Sequence, residues 1–181
     1  MSFTTAKVLF TPPVTQITSG VAPWSTPDAV TVDDTSSSGY QIYDMGTGDK
    51  SHVLNLTKPK MLGAVPPNGT VSNITIDYSC VRGYGVDNID AMLQIGTGPI
   101  FTGQWSGVSY ATQSQSRSIA SWGLSNAEVM QFIAGSIPFK FWAVATANGP
   151  LAYQANFVRW IKVQMTWDLP AGESIYHPQV F

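Results

Sequence analysis

Alternation of apolar and polar positions with a period of two dominates the chain, and it predicts strands. In TVSNITIDYSCV (70–81), Val71 is followed by Ile74, Ile76, Tyr78 and Cys80 on one face, after a turn at PPNG (66–69). Shorter runs of β type are YQIYDM (40–45), HVLNL (52–56) and AMLQIG (91–96). FKFWAVATA (139–147) sets Phe139, Phe141, Ala143 and Ala145 on one side and Trp142 and Val144 on the other. A strand apolar on both faces is central in its sheet or covered by a partner. NFVRWIKVQMTW (156–167) changes phase: Val158 and Trp160 share one parity, while Ile161, Val163, Met165 and Trp167 share the other. A strand switches sides only by inserting a residue, so a β-bulge is expected near Trp160.

Gly-rich turns (SSSG, GTGD, GYG, GTGP, ANGP) separate these runs. Many short strands with such turns indicate an all-β sandwich. One helix interrupts the pattern, at SWGLSNAEV (121–129) and the residues after it. Ser125 and Glu128 have capping-box spacing, Val129 and Phe132 share a face, and Gly135 and Pro138 end the helix. Residues 1–22, with Pro12, Pro13 and Gly20, read as an extended N-terminal arm; residues 23–169 form the sandwich and 170–181 a tail.

Composition narrows the partners. The 181 residues are 44% hydrophobic, enough for a sizeable core, but only 11% charged, against roughly 25% in ordinary soluble domains. A neutral polar surface fits either a secreted or abundant β domain or a subunit covered by neighbours. Net charge is −2 and the basic residues are scattered, so nucleic acid is not an expected partner. No apolar run reaches about 18 residues, and no membrane association is expected. The start MSFTTAKVLFTPPVTQ lacks the basic and apolar regions of a signal peptide, so none is expected. Cys80 is the sole cysteine, which excludes an intrachain disulfide.

Four pieces in order resemble a family of jelly-roll domains found in structural proteins of tailed bacteriophages. They are a Trp-x-x-Pro start (Trp24 to Pro27), a Pro-x-Gly-x-x hairpin entry (Pro67 to Ile74), the Trp-Gly-Leu helix (Trp122 to Val129), and a closing strand (Asn156 to Val158). The resemblance covers about residues 23–168. It departs from the family where Asn156 replaces the common Asp and where the phase shifts after Arg159. It implies an antiparallel jelly-roll β-sandwich in a virion protein.

Catalytic chemistry has little support. His52 and His177 lack a nucleophile or metal-spaced partner, and Asp87 and Asp90 read as turn residues rather than a cation site. No cofactor or metal is expected. The expected role is that of a non-enzymatic capsid decoration protein on the outer surface of the particle. It would form a homo-oligomer, most simply a trimer, and bind the major capsid protein. Phe3, Val8 and Phe10 of the arm, with Trp142, are the expected subunit or capsid contacts; the competing reading folds the arm back on its own sandwich as an edge strand. The alternative is a tail-associated or receptor-binding module that recognises carbohydrate, with Trp105 in GQWSG as the stacking residue; a free lectin-like protein ranks third.

Overall fold

The computed structural model describes residues 1–34, 36–41, 47–60, 68–81, 89–105, 109–146 and 155–172. Its strands are β1 (Ser2–Thr4), β2 (Val8–Leu9), β3 (Thr15–Ile17), β4 (Ser38–Gln41), β5 (Val53–Leu56), β6 (Thr70–Val81), β7 (Ile89–Ile95), β8 (Phe101–Gln104), β9 (Ala111–Ser118), β10 (Phe139–Ala145) and β11 (Ala155–Asp168). The helix α1 covers Asn126–Ala134. A six-stranded antiparallel sheet holds β4, β11, β6 and β9, with β1 and β2 also against β11. A five-stranded antiparallel sheet has the order β3-β5-β10-β7-β8. From β4 onward the chain alternates between the two sheets except at the β7–β8 hairpin, which is the path of a jelly roll.

The inward parity of each strand fills the space between the sheets. Ile74, Ile76, Tyr78 and Cys80 face Leu54, Leu93, Phe139 and Phe141, all fully buried. The two-sided strand β10 is the middle strand of its sheet, paired with β5 and β7, as its composition requires. The expected bulge in β11 lies between Val158, opposite Cys80, and Trp160, opposite Ser79, so Arg159 is the inserted residue. A second shift sits at the other end of the β6–β11 pair, between Thr166 and Trp167. The strand assigned to 40–45 begins earlier, at Ser38, and residues 42–46 lie outside the described ones.

The helix has the expected cap. The Ser125 hydroxyl accepts from the Glu128 N–H at 3.3 Å, and the Glu128 carboxylate accepts from the Ser125 N–H at 2.8 Å. Gly135 ends the helix with φ 88°, a conformation that favours glycine. The fully buried Trp122 donates from its indole to Ile74 O at 3.0 Å and packs edge-on against Phe101. The helix thus follows a Trp-Gly step whose indole ties β6 to β8.

The arm departs from expectation. It is built into the chain's own two sheets. One edge of β11 pairs with β6; the other is shared by β4, β2 and β1. The arm then crosses to the five-stranded sheet, where β3 pairs with β5. Phe10 is fully buried, stacked on Phe139 (5.7 Å between centroids) and edge-on to Phe132 of α1. Val8 is buried, and Phe3 stacks on Trp167 at 4.7 Å. Val8 and Phe10 are part of the chain's own core, so they are not available as capsid or subunit contacts; Phe3 packs against that core half-buried.

Candidate functional site

The six tryptophans divide by position. Trp24, Trp105, Trp122 and Trp167 belong to the buried core, whereas Trp142 and Trp160 lie outside it. Trp105 does not provide the stacking surface expected of it. Alternation along β8 turns Phe101 and Gly103 inward and Thr102 and Gln104 outward, so Trp105 follows the inward set. Its indole donates to Val81 O at 3.0 Å, and its ring leans on Phe141 at 5.9 Å. Loop-like flanks of Gly and Ser concealed this, because a residue one step past a strand keeps the strand's parity.

Trp142 sits on the outer face of the five-stranded sheet, opposite Met92. It is only 9% exposed and offers little ring surface.

Trp160 occupies the outer face of the six-stranded sheet, and the bulge puts it there. Val158 points inward, Arg159 is inserted, and Trp160 then faces outward while Ile161 returns to the core. The ring is half-buried. Charged groups gather around it in a chain that has few. The Lys162 ammonium lies 4.5 Å from the Trp160 ring centre and 2.7 Å from the Asp33 carboxylate. The Arg159 guanidinium lies over the Tyr110 ring at 3.9 Å. Lys7 reaches across the sheet to Asp77, 2.5 Å away. Ser79, Thr112 and Ser114 share the outward parity of Asp77 on β6 and β9, adding hydroxyls on the same face. Four of the chain's nine basic residues are in this region: Lys7, Lys60, Arg159 and Lys162.

Two polar atoms beneath this face are buried without a partner among the described residues. Asp77 is 2% exposed, and its second carboxylate oxygen has no partner among the described residues; the Arg159 Nε also has none. The Ser36 hydroxyl and N–H hold the exposed Asp34 carboxyl below the usual carboxylate range, and Arg159 adds to this. Asp34 is therefore an anion at neutral pH. The face combines an aromatic ring, fixed cations and fixed carboxylates, which is equipment for orienting a polar ligand. Among the described residues, no three His, Cys, Asp or Glu side chains form a group able to hold a metal ion. His52 lies at the start of β5, where its carbonyl accepts from the Trp24 indole at 2.7 Å; His177 and Asp87 lie outside the described residues.

Trp160 escaped the sequence reading, although its signal was present. The same phase change that predicts the bulge decides Trp160's direction. Placing the extra residue at Arg159, one position earlier, turns the indole outward.

The architecture defines an antiparallel jelly-roll sandwich with a polar, aromatic-bearing outer sheet face. Among solved structures, the chain is similar to SGBP-B from a complex xyloglucan utilization locus in Bacteroides uniformis, with a TM-score of 0.50 and 12% identity over 87% of this chain. The match spans about half (49%) of that protein's length, and at such identity the likeness is one of fold. A weaker likeness is to a chain crystallised with xylogluco-oligosaccharide, with a TM-score of 0.41 and 9% identity, covering 92% of this chain and 39% of that one. No family model and no curated protein matches the sequence. The expected capsid decoration role is overturned. The structural likeness is to a protein of a xyloglucan utilization locus rather than to a phage particle protein, and the arm assigned to gripping a shell is folded into the chain's own sheets.

Proposed function

We propose that the chain is a non-catalytic carbohydrate-binding module whose ligand lies on the outer face of the six-stranded sheet, against Trp160. The observation that carries this reading is the placement of Trp160. A bulge turns its half-buried indole to the outer sheet face beside Arg159, Lys162 and Asp33. A sugar ring has an apolar C–H face and a rim of hydroxyls. The indole covers the first, while guanidinium, ammonium, carboxylate and hydroxyl groups pair with the second. A site of this kind needs few polar groups, provided they are held in place. Lys162 is held by Asp33, Arg159 by Tyr110, and Lys7 by Asp77. The fold likeness to a protein of a xyloglucan utilization locus supports the same reading.

Affinity electrophoresis through gels containing soluble polysaccharides tests the proposal. At least one polysaccharide retards the wild type, Trp160→Ala loses the retardation, and Trp142→Ala keeps it. Unretarded migration in a panel of β-glucans, xyloglucans, mannans and pectins contradicts the reading, as does retardation unaffected by Trp160→Ala.

A further inference from the structure

Beside Trp160 the surface opens into a cavity of about 210 Å³ lined by Lys7, Val8, Leu9, Asp33, Lys60 and Lys162. Lysines thus form half the lining of this cavity in a chain with nine Lys and Arg in 181 residues. Lys162 is paired with Asp33, and Lys7 with Asp77. Lys60 is anchored only through its backbone, whose N–H donates to Leu9 O at 2.8 Å. Its exposed ammonium has no partner among the described residues. Asp33 is the one carboxylate in the lining and Asp77 neutralises Lys7 from beside it, so among the described residues Lys60 is the wall's one uncompensated positive charge.

Donor and acceptor types sharpen this. An ammonium has three donors and no acceptor. A neutral sugar hydroxyl both donates and accepts, and a wall whose one unpaired charged group is an ammonium serves only its acceptor side. An anionic oxygen only accepts, and this wall suits it. Lys162 joins the two parts of the face, since its ammonium lies over the Trp160 ring and also lines the cavity. A sugar packed against the part of the Trp160 ring that Lys162 leaves uncovered therefore has Lys162 and the cavity beside it.

We infer that the cavity is a subsite for the anionic group of an acidic sugar, a uronate carboxylate or a sulfate ester, so that the ligand of this face is an acidic polysaccharide. The inference rests on the carbohydrate-binding reading and goes beyond it by naming the ligand's charge. Isothermal titration separates the two. The titrants are a neutral xyloglucan oligosaccharide, an oligogalacturonide and a sulfated galactan oligosaccharide, each in low salt and in high salt, against wild type and Lys60→Gln.

The expected result is that one acidic oligosaccharide binds at least tenfold tighter than the neutral one. Its affinity falls in high salt, because exposed charges are screened. Lys60→Gln weakens the acidic ligand about tenfold through loss of a charge-assisted hydrogen bond and leaves any neutral binding unchanged. Thermal unfolding of Lys60→Gln matches wild type, since the side chain is exposed. Preference for the oligogalacturonide identifies a carboxylate, and preference for the galactan a sulfate. Neutral binding equal to acidic binding, or an acidic affinity indifferent to Lys60→Gln, overturns the inference while the carbohydrate reading stands. Binding of none of the three overturns the inference, and the carbohydrate reading falls with it only when the polysaccharide panel also leaves the wild type unretarded.

Discussion

Replacing Phe10 with alanine tests whether the first 22 residues are part of the fold or an appendage. Phe10 is fully exposed to neighbours and closed to solvent: it has 0% accessible surface, a stacked contact with Phe139 and an edge contact with Phe132. It joins three elements, the arm, helix α1 and strand β10. Backbone bonds hold it on either side, from Lys60 N–H to Leu9 O at 2.8 Å and from Thr11 N–H to Lys58 O at 3.0 Å. The backbone therefore cannot collapse easily into the space the ring leaves. Truncating a fully buried Phe costs about 3–5 kcal/mol, and two aromatic contacts place this site near 4 kcal/mol. At roughly 2–4 °C per kcal/mol for a chain of this size, the melting temperature falls by about 8–16 °C. Urea unfolding followed by far-ultraviolet circular dichroism reads the same loss as a lower midpoint at unchanged m-value. Phe3→Ala, which removes a half-buried ring stacked on Trp167, costs about 1–2 kcal/mol in the same assay. A loss below about 1 kcal/mol for Phe10→Ala refutes the reasoning, because only a detachable arm tolerates that change.

Ser125→Ala removes the helix cap and costs about 1 kcal/mol, whereas Trp122→Ala costs about 3–5 kcal/mol; equal and negligible shifts in thermal unfolding contradict both assignments. Ser125 holds the Glu128 carboxyl below the usual carboxylate range through its N–H and hydroxyl, so this part of the cap is complete above that range and is lost as pH falls through the lowered value. The stability difference between wild type and Ser125→Ala therefore narrows in acid, and a difference that widens there contradicts the pairing. Gly103→Ala drives a methyl group into the Tyr78 hydroxyl, which donates to Gln104 O at 2.8 Å, and costs about 1–3 kcal/mol by chemical denaturation; a neutral result shows that β8 is displaced. The homotrimer expected from sparse charge predicts a light-scattering mass near three times 19.5 kDa, and a monomer at all concentrations contradicts it.

The long strands were legible because each has one wet and one dry face. The run 70–81 coincides with β6, Thr70–Val81, and β10 shows its central position by being apolar on both sides. The phase change around Arg159 disclosed the bulge before any coordinates. Strand β9, Ala111–Ser118, was not legible. It is an edge strand whose residues are all exposed or half-buried, and Ser, Thr and Gln carry no apolar period. The arm misled for a related reason. Two- and three-residue strands are too short to show a period, and Phe10 becomes a core residue only through Phe132 and Phe139, which are more than 120 positions away in the chain. The candidate site was hidden in the same way. Asp77 and Lys162 meet through the pairing of β6 with β11, Asp33 and Tyr110 reach them from loops, and no local motif joins the four.

The central claim, that Trp160 presents a sugar-binding surface, is tested most directly by isothermal titration of wild type and Trp160→Ala with a polysaccharide that retards the wild type in gels. Loss of a central aromatic anchor removes at least about 2 kcal/mol of binding, so the account predicts a fall in affinity of at least ~30-fold, with folding stability lowered by no more than about 1–2 kcal/mol. Identical titration curves for the two proteins contradict it.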